Sequence, residues 1–218
     1  MTPHAVPDCV QQDLVAPVVS LSEHPGLRLP DLKALSQRIV LDAEQRAALQ
    51  MPDPARPYGR RVIFANDALE AMVATWTRGR LCAPHDHGGS VGAVKVLQGR
   101  ARHRVWAIEG GALVLRAEHT VAAGEILACG PDLIHSMGDD GGDEPLMTLH
   151  LYTDCIDFMV VYEPDADATH VVEGSCGAWV PHDTPALIRR TLPGTVHRRA
   201  LVAARAGRDS PETIRGQA

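Results

Sequence analysis

At 218 residues and 45% apolar side chains, the chain suits one domain with a real core plus appendages. A formal net charge of −6 and a sequence pI near 6.0 give no global attraction for nucleic acid or an anionic membrane. No apolar run is long enough to span a bilayer, and the N-terminus lacks a basic segment followed by an apolar one, so neither a membrane helix nor a secretory signal is expected.

Residues 1–30 are interrupted by prolines and weakly patterned. Asp31–Val40 sets Leu32, Leu35 and Ile39 at helical spacing behind Pro30, with Asp31 able to serve as N-cap. Asp42–Gln50 opens on a second Asp cap and stops before Met51-Pro52, which predicts a short helical prelude over 1–57. From Tyr58 the texture changes to short apolar or alternating runs separated by Gly, Pro and Asp. Arg61–Ala65, Leu69–Trp76, Val91–Leu97, Ala101–Ile108, Ala112–Glu118, Glu125–Cys129, Leu146–Tyr152 and Asp157–Glu163 read as strands, and Gly110-Gly111 as a tight hairpin. So many short strands predict an all-β sandwich or barrel over 58–180. Beyond, 181–218 loses alternation and gathers arginines. Thr195–Ala206 could form an amphipathic helix, and the tail reads as solvated or as contacting a second copy rather than as a nucleic-acid arm.

The five cysteines, Cys9, Cys82, Cys129, Cys155 and Cys176, are scattered and never in C-x-x-C spacing. That argues against a disulfide framework or zinc knuckle and fits a reducing cytoplasm. The chemistry gathers at Gly79–Gly99, around His85-Asp86-His87. In an extended chain, residues i and i+2 share a face, so both imidazoles can reach one point; neutral imidazole is the commonest metal ligand. Taken alone, an H-x-H beside a Gly-Gly turn fits two surface histidines equally well. Cys82, three residues before His85, is a weak candidate for a further ligand.

With its surroundings, the stretch resembles the cupin signature. The first motif, G-x5-H-x-H-x(3,4)-E-x6-G, is matched by Gly79, His85, His87 and Gly99, with Gly92 where Glu is expected. The second, G-x5-P-x-G-x2-H-x3-N, is matched by Gly124 and His135, with Gly130, Asp132 and Asp139 at the Pro, Gly and Asn positions. A cupin that lacks the Glu keeps three histidines, and this resembles the thiol dioxygenases, with cysteine dioxygenase as the nearest member. The resemblance implies a jelly-roll β-barrel holding Fe(II) on His85, His87 and His135, acting on L-cysteine and O₂ to give cysteine sulfinate. Three histidines alone would serve Zn²⁺, Mn²⁺ or Ni²⁺ as well.

Two further stretches are similar to the same family over Tyr58–Tyr162. Tyr58-Gly59-Arg60 resembles the Y-x-R segment whose Arg holds the substrate carboxylate, a pairing that suits the planar guanidinium fork. Enzymes of 3-mercaptopropionate generally carry Gln there, so Arg60 favours an amino-acid thiol, with the mercaptocarboxylate as alternative substrate. Thr148-Leu149-His150-Leu151-Tyr152 resembles the S-x-H-x-Y run. Its period of two sets Thr148, His150 and Tyr152 on one face, a candidate relay that directs the phenol. Trp76 also has a family counterpart and fits a core position equally. Gly92 replaces the Cys that cross-links the Tyr in animal enzymes, so Tyr152 is expected unmodified. Thr153-Asp154 replaces Ser-Pro, so no cis peptide is expected. A monomer or homodimer with no nucleic-acid or membrane partner completes the expectation, and a non-catalytic metal-binding cupin is the reading from another class.

Overall fold

The computed structural model describes residues 6–154, 156–174 and 185–201. The chain begins with helical turns at Asp8–Val10 and Gln11–Val15 that run into α1 (Ala16–Ser22), followed by α2 (Leu29–Arg38) and α3 (Ala43–Leu49). The first segment is thus more ordered than its prolines suggest: Val10, Leu14 and Val18 recur every four residues and are fully buried. Pro17 comes just after the wider helical turn Gln11–Val15, which runs into α1 with Ala16 N–H donating to Gln11 O. Asp31 is not the N-cap of α2. Pro30 lies inside the first turn, and the Asp31 carboxylate reaches back to accept from the Arg28 backbone N–H at 2.9 Å. Asp42 does cap α3, accepting from Gln45 N–H at 2.8 Å while the Gln45 side chain accepts from Asp42 N–H at 3.0 Å.

The remainder is all-β. β1 (Tyr58–Ala65), β2 (Leu69–Trp76), β3 (Gly92–Gln98), β4 (Arg100–Glu109), β5 (Ala112–Ala122), β6 (Ile126–Cys129), β7 (Ile134–Asp139), β8 (Met147–Thr153), β9 (Phe158–Glu163), β10 (Ala168–Glu173) and β11 (Ile188–Pro193) follow in order. Eight match the expected strands within a few residues. β7, β10 and β11 were not anticipated, β7 because the stretch Leu133–Met137 reads as a ligand motif rather than by its alternation. Gly110 and Gly111, with φ of 58° and 82°, make the expected β4–β5 turn, a backbone form that glycine adopts freely.

One sheet has the order β1-β2-β8-β3-β6; two smaller ones are β5-β4-β7 and β11-β10-β9. The smaller sheets are joined through residues 81–86. Leu81 bridges Gly138 of β7, and His85 bridges His135 of β7 on one side and Val161 of β9 on the other. The result is two facing layers, a jelly roll of the kind expected. Alternation along β8 explains why the whole strand is buried. Met147, Leu149 and Leu151 pack under Leu14, Leu32, Leu35 and Leu49 of the helices, while Thr148, His150 and Tyr152 face the space between the layers. Burying each of those helix leucines stabilises the packing of helices on the sheet by about 1.5–3 kcal/mol.

Among the described residues, some of the C-terminal arginines make ion pairs. Arg189 pairs with Asp157 at 2.8 Å and Glu173 at 2.6 Å, and Arg199 pairs with Asp132. Helical backbone occupies 198–201; the rest of the expected 195–206 helix beyond that point lies outside the described residues.

Candidate metal centre

His85 and His87 do not sit in a regular strand, as their period-two spacing suggested, but on the bridged segment between the two small sheets. The effect is the same. His85 exchanges backbone hydrogen bonds with His135 (2.9 and 3.0 Å), and Asp86 N–H donates to Val160 O at 3.0 Å, which fixes the segment from both sides. The side chain of Asp86 turns away from the histidines. It accepts from Gly88 N–H (3.0 Å) and Val160 N–H (3.1 Å), and lies 3.4 Å from the Arg198 guanidinium in an ion pair. Asp86 and Arg198 escaped the sequence reading. Nothing in the H-x-H spacing shows that the middle residue is an anchor rather than a ligand, and Arg198 reaches it from far along the chain.

The three histidines converge. One ligand atom from each of His85, His87 and His135 lies within 4.8 Å of the others, all three residues being buried. His85 Nδ1 is 2.9 Å from Ala83 O; a carbonyl only accepts, so Nδ1 carries the hydrogen and Nε2 presents its lone pair. His135 Nδ1 is engaged from outside by His103 at 2.9 Å, leaving Nε2 facing His87 Nε2 at 3.3 Å. Burial holds the His85 pKa down at about 4 and those of His87 and His135 well below the ordinary 6.5. All are therefore neutral at physiological pH, the form that binds a cation. Three converging neutral imidazoles fit a divalent metal. Cys82 is not part of the converging set: its sulfur lies 3.8 Å from His85 Nδ1, the outer side of the ring, and accepts from Met137 N–H.

The S-x-H-x-Y-like run is brought to the same place, and its hydrogen bonds have a direction. Trp76 Nε1 can only donate, and does so to Thr148 Oγ1 at 2.8 Å. The only acceptor for the Thr148 hydroxyl's own hydrogen among its partners in the described residues is His150 Nε2 at 2.8 Å, so it donates there. His150, with a pKa lowered to about 3 chiefly by burial, is neutral and carries its hydrogen on Nδ1, 3.1 Å from the Tyr152 oxygen. Tyr152 accepts there and keeps its O–H to donate inward, where His87 Nε2 is 3.1 Å away. Burial pushes its pKa well up, so it stays a phenol. Trp76 thus fills one lone pair of the Thr148 oxygen as well as packing in the core.

Gly92 is the register partner of Tyr152, and a Cβ there would lie 2.4 Å from the tyrosine ring. The ring occupies the space that a side chain at 92 would need. No cis peptide bond occurs among the described residues, in keeping with Thr153-Asp154.

Tyr58 and Arg60 project from β1 into the cavity that the histidines and Tyr152 line. The Tyr58 ring rests on Trp76 with centroids 4.7 Å apart. Arg60 is half-buried; Nη1 donates to Gly174 O at 3.2 Å, and Nε is buried without a partner among the described residues. Every candidate site residue read from the sequence therefore lines, or bonds directly to, one cavity.

Residues 33–164 match the family model described as cysteine dioxygenase type I. The chain belongs to this family. Several of the solved structures it is similar to are distant from it. KdgF from Halomonas sp. is 18% identical, with 48% of this chain and 85% of that one covered and a TM-score of 0.38. A double-stranded β-helix protein from Klebsiella pneumoniae is 17% identical, with coverages of 57% and 96% and a TM-score of 0.43. A putative sugar phosphate isomerase from Acidithiobacillus ferrooxidans is also 17% identical, covering 65% and 89%, at 0.44. For a member of the cysteine dioxygenase type I family, a dioxygenase acting on a small thiol follows, and no helix among the described residues is long and apolar enough to cross a membrane.

Proposed function

We propose that this dioxygenase is iron(II)-dependent and converts L-cysteine and O₂ to cysteine sulfinate in a reducing cytoplasm. The observation that carries the reading is the meeting, in one cavity, of three neutral imidazoles, a directed phenol and a guanidinium whose Nε has no partner among the described residues. Bound to His85, His87 and His135, iron(II) supplies the redox-active centre that O₂ chemistry needs and a Lewis acid that favours the thiolate.

The protein's own groups do the rest. Arg60 holds the substrate carboxylate, and Tyr58 shapes the same wall. Such a pairing gives a partner to a buried guanidinium nitrogen, which is costly left alone. Tyr152, fed by His150 and Thr148, orients the reacting groups and holds or lends a proton at its oxygen. When His87 Nε2 is taken up as a ligand, the phenol loses that acceptor and its hydrogen faces the cavity. The reaction balances without a reductant: both oxygen atoms end on sulfur, which is oxidised as O₂ is reduced.

Oxygen uptake by iron-loaded protein, with L-cysteine, 3-mercaptopropionate and cysteamine in parallel, tests the proposal. Strong uptake with cysteine and weak uptake with cysteamine is expected. Preference for 3-mercaptopropionate would keep the reaction and overturn the substrate. No uptake with any thiol at full iron loading would leave a metal-binding cupin without this catalysis.

A further inference from the structure

Behind His135, on the side away from the other two histidines, stand two imidazoles that no motif accounts for. His103 lies on β4, which pairs with β7, and His119 is its register partner on β5. His103 is buried and His119 is exposed. His103 Nε2 is 2.9 Å from His135 Nδ1, and His103 Nδ1 is 3.0 Å from His119 Nε2. Three rings thus run in file from the metal centre to the surface.

The hydrogens in this file can be ordered by one condition. A histidine that gives Nε2 to a cation must carry its hydrogen on Nδ1. His135 Nδ1–H then donates to His103 Nε2, which leaves the His103 hydrogen on Nδ1, from where it donates to His119 Nε2. The reverse order would put a hydrogen on His135 Nε2 and forbid metal binding. Ligating histidines are commonly anchored by a carboxylate or carbonyl, which can only accept. Here the acceptor is an imidazole that must itself be held in one tautomer, and His119 is placed to hold it.

We propose that His103 is a positioning residue of the metal centre, accepting from His135 and so aiming its Nε2 at the metal, with His119 fixing the tautomer of His103 from the surface. This rests on the reading of His85, His87 and His135 as a metal centre. Long-range proton–nitrogen NMR of nitrogen-15-labelled, Zn(II)-loaded protein reads the tautomers directly. His103 is expected with its hydrogen on Nδ1 and a coupling across the bond to His135 Nδ1; a hydrogen on His103 Nε2 would overturn the proposal.

Zn(II) affinity supplies a second readout, independent of turnover. His103→Leu should weaken binding by about 10–100-fold, whereas His103→Gln, whose amide can accept from His135 and donate to His119, should recover most of it. Wild-type affinity in the Leu variant, or a Gln variant no better than Leu, defeats the proposal while leaving the metal centre intact. If the Leu variant fails to fold, the wild-type tautomers decide. A wild-type protein that binds no Zn(II) removes the metal centre and this proposal together.

Discussion

Arg60 enters the cavity with Nη1 held by Gly174 and Nε without a partner among the described residues, an arrangement that suits a carboxylate clamp. Arg60→Ala is expected to raise KM for L-cysteine by roughly tenfold to a hundredfold, the range for charge-assisted hydrogen bonds, while cysteamine kinetics hardly change. Unchanged cysteine kinetics would refute the clamp. Tyr152→Phe removes the hydroxyl that receives the line from Trp76, and should slow turnover by roughly a hundredfold while metal content, measured by elemental analysis, stays near wild type. These residues were legible through the resemblance to the thiol dioxygenases, whose Y-x-R and S-x-H-x-Y runs are each local in sequence. Asp86, Arg198 and His103 were not, because each acts on a ligand through a contact across the fold, and sequence spacing carries no sign of it.

At the scale of elements, the site depends on where strands cross. β8 supplies the Thr148–His150–Tyr152 face because its other face is committed to the helices, and the Tyr152 ring lies over β3 in the space that a side chain at position 92 would need. Gly92→Ala is therefore expected to displace the tyrosine ring. Activity should fall much as in Tyr152→Phe with metal binding retained, and a crystal structure of the variant should show the phenol moved from His87. Wild-type turnover in that variant would contradict the packing account. Most strands could be read from their alternation and turn residues. β10 and β11 were missed since their runs are short and the latter is rich in arginine, and the 8–22 helical segment was hidden by Pro7, which precedes the first helical turn, and Pro17, which comes just after the wider turn Gln11–Val15.

Across the whole molecule, buried neutral histidines link stability to pH. The pKa values of His85, His103 and His150 are lowered to about 4, about 4 and about 3, from an ordinary 6.5, with desolvation as the main cause in each. Between those limits the unfolded chain binds protons that the folded chain refuses. Their contribution is complete above about pH 6.5 and is lost as pH falls toward the folded values. The metal-free protein should show a Tm that is level near neutrality and declines steadily from about pH 6.5 to about pH 4; a Tm independent of pH across that window would contradict the burial of these rings. The central claim, that a thiol is dioxygenated here, is tested most directly by supplying ¹⁸O₂ to iron-loaded protein with L-cysteine and weighing the product by mass spectrometry. Cysteine sulfinate with both oxygens labelled is the predicted result. Cystine, or a sulfinate carrying oxygen from water, would contradict it.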